Sequence, residues 1–397
     1  MRKTTGVLAG PTLVRFLLLI IVIRLVRDTS VRMMYPFLPE YARGLGITLT
    51  AAGMLLTLRT GLVMLAPLVG HVADRRGQRR LLMLGFALEG LALLAFSFST
   101  DFWSGLASIF LLGVSDAFVH PLLQGYVSEH APVQRRGQAM VTVEYSWALT
   151  GIAVLPVVGW LIDSWGWPVP FRLLGAGSFV AVLLLAWVLP YDLPRQATRR
   201  PSLPREFLLT LRDRSAAATL LMNAMVFAAA ETIFLLWGAQ LERQFSLGPA
   251  ELGRVAAIIG VAELTGSVTS SLIIDRLGKR RSVLAGTTLF LLLLASMPLL
   301  NRALWSLVMG LALVSMVFEY TIVSAIPLIG QQRPQSRTTM LAMGVMVAAI
   351  ARSATDTGAA WIFERAGFLY AILCAFLLLL LGWLALWRGV EERAEKA

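Results

Sequence analysis

The chain has 397 residues, of which 57% are hydrophobic and only 15% charged, with a mean hydropathy of +0.73. Soluble globular chains carry roughly 25% charged residues, so a soluble fold is excluded. The net charge of +12 does not indicate nucleic acid, because the arginines gather in alternate short loops between apolar segments.

Apolar runs of ~20 residues, the length that crosses a ~30 Å hydrocarbon core as a helix, recur from end to end. In chain order they cover roughly 12–38, 48–70, 81–99, 103–127, 138–162, 170–190, 216–240, 250–273, 282–299, 303–328, 339–363 and 367–387. Runs this long are helical, since only helices and closed barrels satisfy the backbone in lipid and barrel strands are shorter and alternating. The first run follows Arg2 and Lys3 but contains Arg15, Arg24 and Arg27 and no small-residue cleavage site, so it reads as a spanning helix rather than a signal peptide. Basic clusters follow the second run (Arg75, Arg76, Arg79, Arg80), the fourth (Arg135, Arg136), the sixth (Arg195 to Arg214), the eighth (Arg276, Lys279, Arg280, Arg281) and the tenth (Arg333, Arg337). All fall on one side of the membrane, which by the positive-inside rule puts both termini in the cytoplasm and the basic loops against anionic lipid. Cys374 is the only cysteine, so no intrachain disulfide is possible.

The second half repeats the first. Asp74-Arg75-Arg76-Gly77-Gln78-Arg79-Arg80 recurs 201 positions later as Asp275-Arg276-Leu277-Gly278-Lys279-Arg280-Arg281. Trp160-Leu161-Ile162-Asp163 recurs as Trp361-Ile362-Phe363-Glu364 at the same offset, and Asp28 and Asp116 have Glu231 and Glu319 as counterparts, each 203 positions on. Each match joins one run to the run six later, so the halves share one orientation, as in a parallel repeat about the membrane normal. The reading is a six-helix bundle over 1–190, a basic linker over 191–215 and a second six-helix bundle over 216–397.

The loop Gly70-x-x-x-Asp74-Arg75-x-Gly77-x-Arg79-Arg80 after the second run resembles the signature loop of the major facilitator superfamily. The copy containing Asp275, Arg276, Gly278 and Arg280, with Ser271 in place of the first glycine, resembles that family's second-half copy. Gln78 departs from the family, which usually has a basic residue there. The resemblance implies an all-α membrane protein of twelve helices in two pseudo-symmetric bundles, a bacterial inner-membrane transporter whose helices 1, 4, 7 and 10 line a central cavity. It also implies that the loop braces the cytoplasmic side against the other half. From the residues alone, Gly77 suits a tight turn, and the arginines suit headgroups or carboxylates.

Thirteen formal charges lie inside the apolar runs: Arg24, Arg27, Asp28, Arg32, Arg59, Glu89, Asp116, Glu144, Glu231, Glu263, Glu319, Arg352 and Asp356, with His120 beside them. Facing lipid they would cost roughly 30–45 kcal/mol, against the ~5–15 kcal/mol by which folded proteins are stable. A polar interior path is therefore required. Arg24, Asp28 and Arg32 are four apart and form one stripe that Tyr35 continues; Asp116, His120 and Gln124 form another, and Arg352 and Asp356 suit an internal salt bridge. His120 is expected to partner Asp116, since three scattered histidines with no paired spacing argue against a metal. Glu89 is set aside, because the third helix of that fold lies towards the outside. Tyr145, Trp147 and Trp237 are candidate lining residues.

The first half balances its acids with arginines, whereas Glu231, Glu263, Glu319 and Asp356 have only Arg352 nearby in sequence. The expectation is that Glu231, Glu263 and Glu319 carry protons and that the first-half arginines hold an anionic or strongly polar substrate group. Gly151, Leu155-Pro156 and Gly159-Trp160 partly resemble the glycine-rich fifth-helix segment of exporters. The reading is a monomeric secondary transporter of a small solute, driven by the proton gradient without a cofactor, most simply a proton-coupled exporter. The alternative is a symporter importing a small organic anion. No nucleotide-binding loop or nucleophile–base constellation supports a pump or an enzyme, and a two-fold repeat suits alternating access better than a channel.

Overall fold

A computed structural model of the chain describes residues 11–66, 69, 77–132, 136–188, 210, 212–333 and 336–392. Twelve long helices follow one another: α1 (Pro11–Arg32), α2 (Leu49–Leu62, extended by a 3₁₀ turn at Val63–Leu65), α3 (Gln78–Ser97), α4 (Phe102–His130), α5, α6 (Pro168–Val188), α7 (Arg214–Phe245), α8 (Pro249–Leu277), α9 (Lys279–Leu300), α10 (Leu304–Gln331), α11 (Arg337–Ala366) and α12 (Phe368–Gly389). α5 runs over Arg136–Leu149, passes through a π-helical turn at Thr150–Val154 and continues as Leu155–Trp165. Pro156 accounts for that turn, because it offers no amide hydrogen to the carbonyl of Ile152. The run expected over 12–38 ends at Arg32, where Pro36 and Pro39 turn the chain into a short helix, Leu38–Gly44.

Among the described residues nine helices are long and apolar enough to cross a membrane, and ten if Leu38–Gly44 and Leu49–Leu65 form one bent span. α1 falls short because Arg15, Arg24, Arg27, Asp28 and Arg32 interrupt it, and α2 because it is 14 residues long. Trp103, Trp165 and Trp305 near one set of loops and Trp187 and Trp387 near the other are exposed, as the interfacial belts of a membrane protein require.

The halves meet along two matching seams, α2 against α11 and α5 against α8. At the end of the bundle away from residues 11 and 392, here the distal end, Glu364 of α11 accepts from the backbone amides of Leu49 (2.7 Å) and Thr50 (3.2 Å) and from the Thr50 hydroxyl. Its repeat counterpart Asp163 places Oδ1 3.7 Å from where a Cβ on Gly248 would stand, beside the start of α8. The Trp-x-x-acid repeat thus sets one carboxylate beside each seam's helix N-terminus, at the positive end of its dipole, and at α2 that carboxylate also takes free amides. Glu364→Ala is expected to cost about 1 kcal/mol of stability, read as a lower unfolding midpoint in detergent. Arg43 and Glu242 add a cross-half ion pair at the same end.

The loop repeat has a related local use. Gly77 (φ +90°) and Gly278 (φ +88°) take the left-handed turn before α3 and α9. Arg79 then donates to the carbonyl of Ala186 at the end of α6, and Arg280 donates to Val390 (2.7 Å) and Trp387 (2.8 Å) at the end of α12. These two arginines bond helix-terminal carbonyls within their own half. Arg80, Asp275 and Arg276 are exposed, and Gly70, Asp74 and Arg75 lie outside the described residues, as does most of the linker.

Candidate functional site

The α1 stripe divides between two clusters. Asp28, fully buried, pairs with Arg24 (3.4 Å) and Arg27 (3.2 Å) and accepts from Ser146 Oγ of α5 (2.5 Å). Asp116 of α4 pairs with Arg59 of α2 (2.7 Å) and, more loosely, with Arg27 (3.7 Å). Arg59 also donates to the carbonyl of Ser30 (2.7 Å). The two acids therefore share Arg27, and α1, α2, α4 and α5 are cross-linked through one charged layer. His120 does not take the place expected for it: Asp116 is held by arginines, and His120 faces Arg24 and Arg27. The side chain of Glu144 lies outside the described residues.

Arg32 turns away from that layer. Its guanidinium bonds Glu263 of α8 (2.7 Å), donates to the Trp147 carbonyl (3.2 Å) and lies 4.7 Å from the centre of the Trp147 ring. Room for it comes from Gly151, where a Cβ would stand 2.9 Å from Arg32 Nη2 and 3.2 Å from the Cα of Gly260. Glu263, expected to lack a base, has one from the other half, an arrangement that sequence-local counting does not detect.

Across the cavity, Arg352 of α11 pairs with Glu231 of α7 (2.6 Å), not with Asp356 four residues on. Arg352 also donates to the Tyr35 hydroxyl (2.6 Å), and that hydroxyl bonds Glu231 (2.9 Å). Tyr35 belongs to the first half, so this triangle is a further cross-half link, beside Arg32–Glu263. Asp356, fully buried, faces Glu231 and accepts from Thr60 of α2 (3.3 Å). Glu319 of α10 accepts from Ser267 of α8 (2.9 Å).

Between the clusters is a cavity of about 260 Å³. Arg32, Glu231, Glu263, Glu319 and Arg352 bring charge to its wall, and Tyr35, Trp147, Phe227, Phe234, Trp237 and Phe318 bring aromatic surface. Of the sequence candidates, Arg24, Arg27, Asp28, Arg59, Asp116, His120 and Asp356 are not in that wall. Of the first-half arginines expected to hold substrate, only Arg32 lines it, because the others are committed to Asp28 and Asp116. Tyr145 is half exposed and lies outside the wall. Tyr35, Ser30 and Ser146 were missing from the candidate set; only Tyr35 had a signal, its place on the α1 stripe.

The Major Facilitator Superfamily model matches residues 20–355. The chain is 24% identical over 275 residues to the uncharacterized MFS-type transporter YceJ of Bacillus subtilis, covering 68% of this chain and 69% of that one. It is 23% identical over 283 residues to the multidrug resistance protein MdtG of Klebsiella pneumoniae, covering 68% of each. Its fold is similar to that of a bacterial homologue of the human lysosomal transporter Spinster in an inward-facing, unoccupied conformation (TM-score 0.76, 12% identity, 98% of this chain and 100% of that one). It is also similar to the nucleoside transporter NupG (TM-score 0.79, 12% identity, 94% and 98%).

Proposed function

The chain belongs to the Major Facilitator Superfamily, and from that premise we propose that it exports a small, largely aromatic or cationic solute in exchange for protons. It is a multi-pass membrane transporter of small molecules; the direction, the coupling ion and the solute class are the proposal. The observation that carries it is the Tyr35–Glu231–Arg352 triangle, a buried cross-half link built on a carboxylate in the cavity wall.

A proton on Glu231 removes the charge that holds Arg352 and weakens the bond to Tyr35, freeing the two halves to part at the level of the cavity. Asp356 lies behind Glu231 and next to Thr60, so the released Arg352 has a second carboxylate within the same group of side chains. The cavity wall holds three acids and two arginines among aromatic rings. That balance favours a cation with apolar surface, through ring faces and carboxylates together. MdtG and Multidrug resistance protein 2 of Bacillus subtilis, similar to this chain at 23% identity, bear names that point the same way. Import of an organic anion would need a cationic wall. Arg32 and Arg352 are there, but each is already bound to a carboxylate.

The test is transport in proteoliposomes with internal pH followed. Substrate addition moves protons inward with respect to solute export in an antiporter, and in the same direction as solute in a symporter. Glu231→Gln is expected to reduce pH-gradient-driven transport by about tenfold or more, roughly 1.4 kcal/mol per decade. Full-rate transport with an undiminished response to the gradient would overturn the assignment.

A further inference from the structure

Glu89 of α3 is buried to 1% exposure in the first half, away from the cavity wall. α3 packs this glutamate inward against α1. Oε1 of Glu89 lies 2.8 Å from Ser30 Oγ, whereas Oε2 has no hydrogen-bond partner. Among the described residues it forms no ion pair; the charged groups facing it are Arg27 of α1, Arg59 of α2 and Asp116 of α4. On the α6 side, Gly90 meets Phe179 and the backbone of Gly175, with no charge.

Ser30 has one hydroxyl hydrogen and two acceptors for it. Its Oγ is 2.8 Å from the Arg27 carbonyl and 2.8 Å from Glu89 Oε1, and Arg59 Nη2 approaches it at 3.4 Å. Both short contacts are full, separate hydrogen bonds only when Glu89 brings a hydrogen of its own, so that Glu89 donates to Ser30 and Ser30 donates to the Arg27 carbonyl. Otherwise one hydrogen is shared between two acceptors. When Glu89 is a carboxylate, it draws that shared hydrogen away from the Arg27 carbonyl. The unpartnered Oε2 fits the same pair of states, since the carbonyl oxygen of a neutral carboxyl is far cheaper to bury than half of a carboxylate.

We infer that Glu89 is a second proton-binding site, separate from Glu231, and that Ser30 passes its occupancy to the Arg27–Arg59–Asp116 layer. Ser30 is the joint, because Arg59 holds its carbonyl at 2.7 Å while pairing with Asp116. A change at Glu89 thus reaches the contact between α1, α2 and α4 without passing through the cavity. The use of this proton in transport rests on the proton-coupled reading above, but its binding does not.

The test is infrared difference spectroscopy of the purified full chain in lipid vesicles as pH is stepped, without substrate or gradient. Wild type is expected to show a protonated-carboxyl C=O component that Glu89→Gln removes and Glu231→Gln leaves in place. Ser30→Ala is expected to keep that component and move its midpoint by about one pH unit, the size of one lost hydrogen bond to a charged group. Superimposable spectra of wild type and Glu89→Gln overturn the site. If Glu89→Gln does not fold, an unmoved Ser30→Ala spectrum overturns it. A failed proton-coupling test in proteoliposomes leaves this titration intact, and a failed titration leaves the Glu231 result intact.

Discussion

Arg59→Met is expected to lower the unfolding free energy by about 3–5 kcal/mol, the cost of leaving a buried carboxylate without its partner. Arg59 is 4% exposed, binds Asp116 at 2.7 Å and holds the Ser30 carbonyl at 2.7 Å. Its loss leaves Asp116 with only the longer contact to Arg27 and strips an acceptor on α1. Denaturant unfolding of the purified protein in micelles reads the loss. Arg59→Met combined with Asp116→Leu is expected to recover most of it, because removing both charges removes the desolvation cost as well. Arg80→Met, at an exposed site, is expected to stay within about 0.5 kcal/mol of wild type. If the double variant is as unstable as Arg59→Met, the loss comes from packing rather than charge.

Gly159→Leu acts on the seam between α5 and α8. A Cβ on Gly159 would stand 2.3 Å from the carbonyl oxygen of Pro249 and 3.2 Å from the Cα of Gly253, so the distal half of α5 lies directly on the backbone of α8. Any side chain forces the two helices apart, at a typical overpacking cost of about 1–3 kcal/mol. The helices belong to different halves, so the strain opens the seam rather than unfolding a bundle. Cysteines introduced as Asp163→Cys and Gly248→Cys in a Cys374→Ser background should cross-link readily with Gly159 present. With Gly159→Leu the yield is expected to fall about tenfold, a shift of about 1.4 kcal/mol. Unchanged cross-linking with unchanged stability would mean that the seam yields elsewhere.

Both effects concern places where the sequence carries a mark without its meaning. Gly159 belongs to the partial resemblance to an exporter segment, and the structure gives it a local reason, a backbone-to-backbone crossing between halves. Trp160 to Asp163 and Trp361 to Glu364 were legible as a repeat, and their use beside the N-termini of α8 and α2 was not. A carboxylate at a helix end has no partner in its own sequence neighbourhood. The α1 stripe was legible too, as far as the Arg24–Asp28 pair. Spacing of four also suggested Arg352–Asp356, and there it misled: Glu231 on α7 offers Arg352 a direct bond at 2.6 Å, and Tyr35 adds another. An i,i+4 pair is one option for a side chain that several neighbouring helices can also reach.

That this is a membrane protein of helices in two parallel halves can be read from the chain alone. Hydropathy, loop charge and a repeat at one offset are local or periodic quantities, and each can be read along the chain. The same reading requires that the buried charges face one another or a water-filled interior, since their cost in lipid exceeds any stability available to the fold. Which charge meets which is settled by the packing of the helices. Arg32 crosses to Glu263, Arg27 is shared by two acids, and Glu89 turns inward to Ser30. Pairing depends on which faces of different helices are brought within a few ångströms, and sequence separations from 57 to 231 residues carry no record of that. The asymmetry between the halves changes accordingly. The acids of the second half find partners in the first, Arg32 for Glu263 and the Tyr35 hydroxyl for Glu231, and both contacts lie in the cavity wall.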